Sequence, residues 1–140
     1  LTIRLPGVVG PNLLRNRPWV GRMLDALKKG EEINYFNGKA LFNNIVDYRN
    51  ICRFVEHVIG RTDMIPFDKV LLAARNPMPV RKAIEFMKRK IRSKSRCVDL
   101  GSRPPSFSID NDRLIRSFGF KPDTTRQILD RFILGNLRLE

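Results

Sequence analysis

The stretch Leu1–Asn12, LTIRLPGVVGPN, decides how the rest of the chain is read. Leu1 to Val9 reads as one strand, apolar on most positions and interrupted by Pro6-Gly7. Gly10-Pro11 then ends it, because proline fixes its own φ and bars the preceding residue from helix. An apolar run ending in Gly-Pro fits the interior of an α/β sheet, where both faces of a strand are covered. A second run, Asp68–Ala74 (DKVLLAA), is apolar on consecutive positions and gives the same reading. The fold class expected is therefore α/β.

Working outward, Trp19, Val20, Met23, Leu24 and Leu27 make the apolar face of a helix that Gly30 stops, with Pro18 in its first turn. EINYF and LFNNIV flank Asn37-Gly38 and predict a hairpin. Ile51, Phe54, Val55, Val58 and Ile59 recur at helical spacing. So do Val80, Ala83, Ile84, Met87 and Ile91, whose helix runs into the basic stretch MKRKIRSKSR. RCVDLGS and SFSID are expected to be extended. Asp110 is placed to cap a helix ended by Gly119, and a last helix from Asp123 or Thr124 should bury Ile128, Leu129, Phe132 and Ile133.

With 140 residues, 42% hydrophobic and 29% charged, the chain is a single globular unit rather than a disordered one. No apolar stretch reaches the ~18 residues of a membrane span. Cys52 and Cys97 lack metal-ligand spacing and fit a reducing cytoplasm. The net charge of +13 implies attraction to anions, and its densest part is Met87–Arg96. No zinc-finger spacing, aromatic RNA-binding signature or helix-turn-helix accompanies it. Nucleic acid is therefore the less favoured partner, and a basic nucleic-acid- or polyanion-binding module is the alternative reading. A third is a structural lobe used for oligomerisation.

Four segments, in order, resemble the C-terminal portion of an extended short-chain dehydrogenase/reductase, the NAD-dependent epimerase/dehydratase family. They are LTIRLPGVVGPN, FNNIVDYRNICRFVEHVI, FDKVLLAARNPMPVRKAIEFMKRKI and SIDNDRLIRSFGFKPDTTRQILDRFI. The resemblance implies a C-terminal fragment of an NAD(P)-binding Rossmann-type enzyme. Residues 1–140 would form one fragment: a small, mostly helical substrate-binding lobe plus residual strands, about 1–9 and 68–74. It also implies NAD or NADP, bound mainly by a part this sequence does not contain, a nucleotide-sugar substrate and a homo-oligomer.

The family's reaction uses Tyr-x-x-x-Lys on a helix, where i and i+4 share a face. Tyr35 and Lys39 match the spacing but straddle Asn37-Gly38, so no catalytic residue is assigned. Neither His57, Ser102 nor Ser106 has a partner that would make it a base or nucleophile, and no metal site is expected. What remains is binding. The resemblance places Pro6 and Gly7 beside the nicotinamide, and Asn12, Trp19 and Val20 where the nucleotide lies. Asn43 falls where many members carry an Arg, and Asn50 is read as replacing an acid at the strand–helix junction. Arg103 offers a guanidinium fork for a phosphate.

Overall fold

The computed structural model describes residues 1–11, 19–61, 69–103 and 107–137. These residues form eight short strands and five helices in a mixed α/β arrangement. The first stretch is two strands, β1 (Thr2–Arg4) and β2 (Gly7–Val9). Pro6, which has no amide to donate, lies between them where the ribbon changes partner. Ahead of it, β1 pairs in parallel with β6 (Lys69–Leu71); beyond it, β2 pairs in parallel with β5 (Ile45–Asp47).

Burial of these strands departs from the sequence reading. Leu1, Leu5 and Leu71 are exposed, and cover on both faces begins only at Val9 and at Leu72–Ala74. Leu1, Leu5 and Leu71 thus lie at the margin of the core, while Val70 and Leu72, on either side of Leu71, pack inward with Leu114 and Phe118. Parallel pairing itself agrees with the reading, since it requires long crossovers and here uses helices.

The expected hairpin does not form. β3 (Ile33–Tyr35) pairs in parallel with β8 (Cys97–Asp99), while β4 (Leu41–Phe42) pairs antiparallel with β7 (Met78–Pro79). The turn signal is real: Asn37 has φ 59° and accepts the amide of Ala40. However, Gly38 lies against Asp99 and Tyr35, so a methyl group there would collide with the Asp99 carboxylate. The tight turn thus seats the 97–101 segment rather than folding β4 back on β3.

Helices α1 (Trp19–Lys29), α3 (Val80–Lys90) and α5 (Thr125–Leu137) enclose the larger core, which includes Leu24, Leu27, Ile33, Ile84, Met87 and Phe132. The stripe expected on α5 is the buried face found there; on α3 Ala83, Ile84 and Met87 are buried together with Phe86, while Val80 and Ile91 are half-buried. A second core joins Phe54 of α2 (Tyr48–Ile59) to Val70, Leu72, Leu114 and Phe118, the last two from α4 (Asp112–Phe118). On α2 only Phe54 of the expected stripe is wholly buried, and Ile59 is 77% exposed. Asp110 is not the cap of α4: the N-cap is Asn111, and Asp110, one residue earlier, accepts the amide of Asp112 at 2.8 Å. The SFSID segment forms no strand among its described residues.

Candidate functional site

A cavity of about 630 Å³ opens between α1, the β3–β4 turn and the segment around Phe107. Its walls are mostly aromatic and aliphatic. Trp19, at the first turn of α1, meets Phe42 of β4 edge-on with centroids 4.8 Å apart, a favourable quadrupolar arrangement. Tyr35, Phe36 and Phe107 complete the aromatic lining, and Phe107 is 65% exposed. An exposed aromatic at a cavity mouth is poorly solvated and is available to stack a planar group. Five polar side chains share the lining: Arg22, Glu32, Asn34, Asn37 and Asn44. Asn44 donates to the Phe107 carbonyl at 3.1 Å, and its buried Oδ1 has no partner.

Arg103 stands outside this cavity but is tied to its wall. Its guanidinium lies 3.8 Å above the ring centroid of Phe36. Its backbone is clamped by Asn37, whose Oδ1 accepts the Arg103 amide at 2.6 Å and whose Nδ2 donates to the Arg103 carbonyl at 2.8 Å. The arginine is thereby held on a fixed platform beside the aromatic lining. It also borders a second cavity with Lys39 and Asp99.

The other expected contacts fall elsewhere. Trp19 lines the cavity, whereas Val20, next to it on α1, is wholly buried in the core and lines no wall. Asn43 is also buried: its Nδ2 donates to the carbonyls of Ala74 and Ile109, and its Oδ1 accepts the amide of Ile109. All its capacity goes to backbone, so it is a clamp between β4, the end of the second ribbon and the segment before α4. Asn12 lies outside the described residues.

Pro6 and Gly7 are half-buried at the β1–β2 junction and line none of these cavities. With no Gly-rich turn in the sequence, the residues present do not by themselves make a dinucleotide site.

The junction acid is Asp47, the last residue of β5 and the N-cap of α2; Asn50, read as its replacement, is its partner. Asp47 Oδ1 accepts the Asn50 amide at 3.0 Å and Oδ2 accepts from Arg131. Arg131 bonds Asp123 at 2.6 Å as well, and Asp123 also takes Arg53 and Asn50. Burial opposes the charge of Asp123, but the Arg131 hydrogen bond and charge, with Arg53 and Asn50, outweigh it and hold the carboxyl below its usual range. The group is a satisfied ionic cluster.

Tyr35 and Lys39 share no helical face: one is in β3 and half-buried, the other is exposed in the turn. Burial, with Asp99 and Cys97 adding to it, raises the Tyr35 phenol above its ordinary value, opposite to what a proton-abstracting tyrosine needs. His57 bonds the Phe118 carbonyl at 2.6 Å. Among the described residues no group of His, Cys, Asp or Glu is placed to hold a metal ion, and no helix is long and apolar enough to cross a membrane.

Sequence reasoning missed Phe36, Phe42, Phe107 and Asn44. Their signal was aromatic density in NYFNGKALFNN and at Phe107, which strand propensity alone explained equally well.

No family model and no curated protein matches the sequence. Solved structures do match in fold. UDP-glucose 4-epimerase of Thermotoga maritima, solved with UDP-glucose, superposes with a TM-score of 0.76 at 16% identity, over 99% of this chain and 46% of that one. WbmG of Bordetella bronchiseptica, solved with NAD and UDP, gives 0.78 at 12% identity, over 98% and 44%. dTDP-glucose 4,6-dehydratase of Bacillus anthracis, solved with NAD, gives 0.74 at 13%, over 99% and 44%. The chain spans less than half the length of each. Its fold is accordingly the one found within NAD-dependent epimerases and dehydratases of the extended short-chain dehydrogenase/reductase type, as the ordered segments of its sequence implied.

Proposed function

We propose that this chain is the substrate-binding part of an NAD(P)-dependent epimerase, dehydratase or reductase that acts on a nucleotide sugar. The observation that carries this reading is the aromatic cavity with Arg103 fixed against its Phe36 wall. A nucleobase stacks on aromatic faces at about 1–3 kcal/mol each. A diphosphate accepts two parallel bonds from a guanidinium fork. The three structures above were solved with UDP-glucose, with NAD and UDP, and with NAD, which supports the same class of ligand.

NAD or NADP would serve the whole enzyme as hydride carrier, met here by Pro6 and Gly7 at most. Alone, this chain is expected to bind but not to turn over. A homo-oligomer and a cytoplasmic setting belong to the same reading.

Trp19 is the one tryptophan and lines the cavity, so its emission reports occupancy. Titration with UDP or dTDP should give a saturable change in that emission. Phe107→Ala should weaken binding about tenfold, the loss of one stacking face. Phe36→Ala should weaken it more, because it also unseats Arg103. Emission that stays flat at millimolar UDP and dTDP would overturn the reading.

A further inference from the structure

The basic stretch after α3 is independent of the cavity chemistry. Lys88 to Arg96 carries six cations in nine residues and no acid. It is not a loose tail. Ser93 Oγ donates to the Leu27 carbonyl at 2.6 Å, Ser95 is buried and its amide donates to Ser93 Oγ, and the Ile33 amide donates to the Arg96 carbonyl at 2.8 Å. The stretch is therefore pinned against the end of α1, where Lys28 and Lys29 stand. Lys90 pairs with Asp130 and Arg96 with Glu32, whereas no carboxylate of the described residues pairs with Lys88, Arg89, Arg92 or Lys94.

Cations in the last turn of a helix answer its macrodipole, and that accounts for Lys88 to Lys90. It does not account for Arg92. Helix α3 ends in a Schellman motif: the Ser93 amide donates to the Lys88 carbonyl and the Arg92 amide to the Arg89 carbonyl. The residue between must be left-handed, and Arg92 has φ 55°. Helix α1 ends in the same pair of bonds, Glu31 to Ala26 and Gly30 to Leu27, with glycine there at φ 73°. The left-handed residue after α4 is likewise a glycine, Gly119. Only α3 among these three helices sets a long cation at a position where glycine is the strain-free choice. Arg92 is exposed, as are Arg89 and Lys94 close to it in sequence.

We propose that this surface binds the phosphate backbone of a nucleic acid without reading its bases. Closely spaced phosphates suit four unpaired cations on a rigid support. No exposed aromatic lies among residues 88–96 to stack a base, and no large exposed apolar side chain lies there to enter a bilayer. The proposal stands whether or not the cavity takes a nucleotide sugar.

The test is fluorescence anisotropy of the full chain with a mixed-sequence DNA duplex across a salt series, beside Arg92→Gly and Lys94→Ala. The chain should bind with affinity falling steeply as salt rises. Arg92→Gly should raise the melting temperature yet weaken binding about threefold or more and lower the salt slope by about one. Lys94→Ala should weaken binding similarly at unchanged melting temperature, and Lys121→Ala should change neither. Absence of duplex binding at low salt overturns the proposal. So does Arg92→Gly binding as tightly as the parent, or retention on phosphatidylserine vesicles without retention of duplex.

Discussion

Asn43 lies at a strand end, wholly buried, and its three side-chain hydrogen bonds all go to main chain. Asn43→Ala would leave the Ile109 amide without its acceptor and the Ile109 carbonyl without its donor, while the Ala74 carbonyl keeps Asn111. Buried groups left in that state should cost about 2–4 kcal/mol in all, read as a lower urea midpoint. A role in holding substrate predicts instead unchanged stability and weaker binding. The residue type was legible as a polar interruption of a strand; its partners, 31 and 66 residues away, were not. Trp19 and Val20 teach the same lesson at closer range. Successive helical positions lie about 100° apart, so one side chain reaches the cavity and the other the core, and the apolar stripe names both without separating them.

Helix termini were the most readable elements. Thr124 and Gln127 form a capping box before α5: Thr124 Oγ1 accepts the Gln127 amide and Gln127 Oε1 accepts the Thr124 amide at 2.9 Å. Thr124→Ala should cost about 1 kcal/mol, seen as a lower melting temperature. The stripe Ile128, Leu129, Phe132, Ile133 is buried as its spacing required, because local periodicity and tertiary packing agree there. Strand pairing was less readable. Asn37-Gly38 announces a turn but not which strands meet around it, and here the crowding of Gly38 by Asp99 goes with β3 pairing to β8. Likewise, nothing local shows that Phe36 carries Arg103, since the two lie far apart in the chain and meet only because that pairing forms.

Across the molecule, the two apolar cores are joined by a seam of charge. Asp47 and Asn50 belong to the β5–α2 side, Arg131 to α5, and Asp123 receives bonds from both. Because the folded Asp123 carboxyl titrates below its ordinary value, its contribution is complete above about pH 4 and is lost as pH falls through the lowered value. Asp123→Asn should therefore lower stability at neutral pH by about 1–3 kcal/mol and flatten the acid side of the stability profile, as followed by denaturant unfolding between pH 2 and 7. The single indole, held edge-on to Phe42, belongs to the larger core alone. Its near-ultraviolet dichroism is consequently a thermometer for one half of the interior, while peptide ellipticity averages both. On heating, any gap between those two curves would measure how firmly the seam makes the halves melt as one.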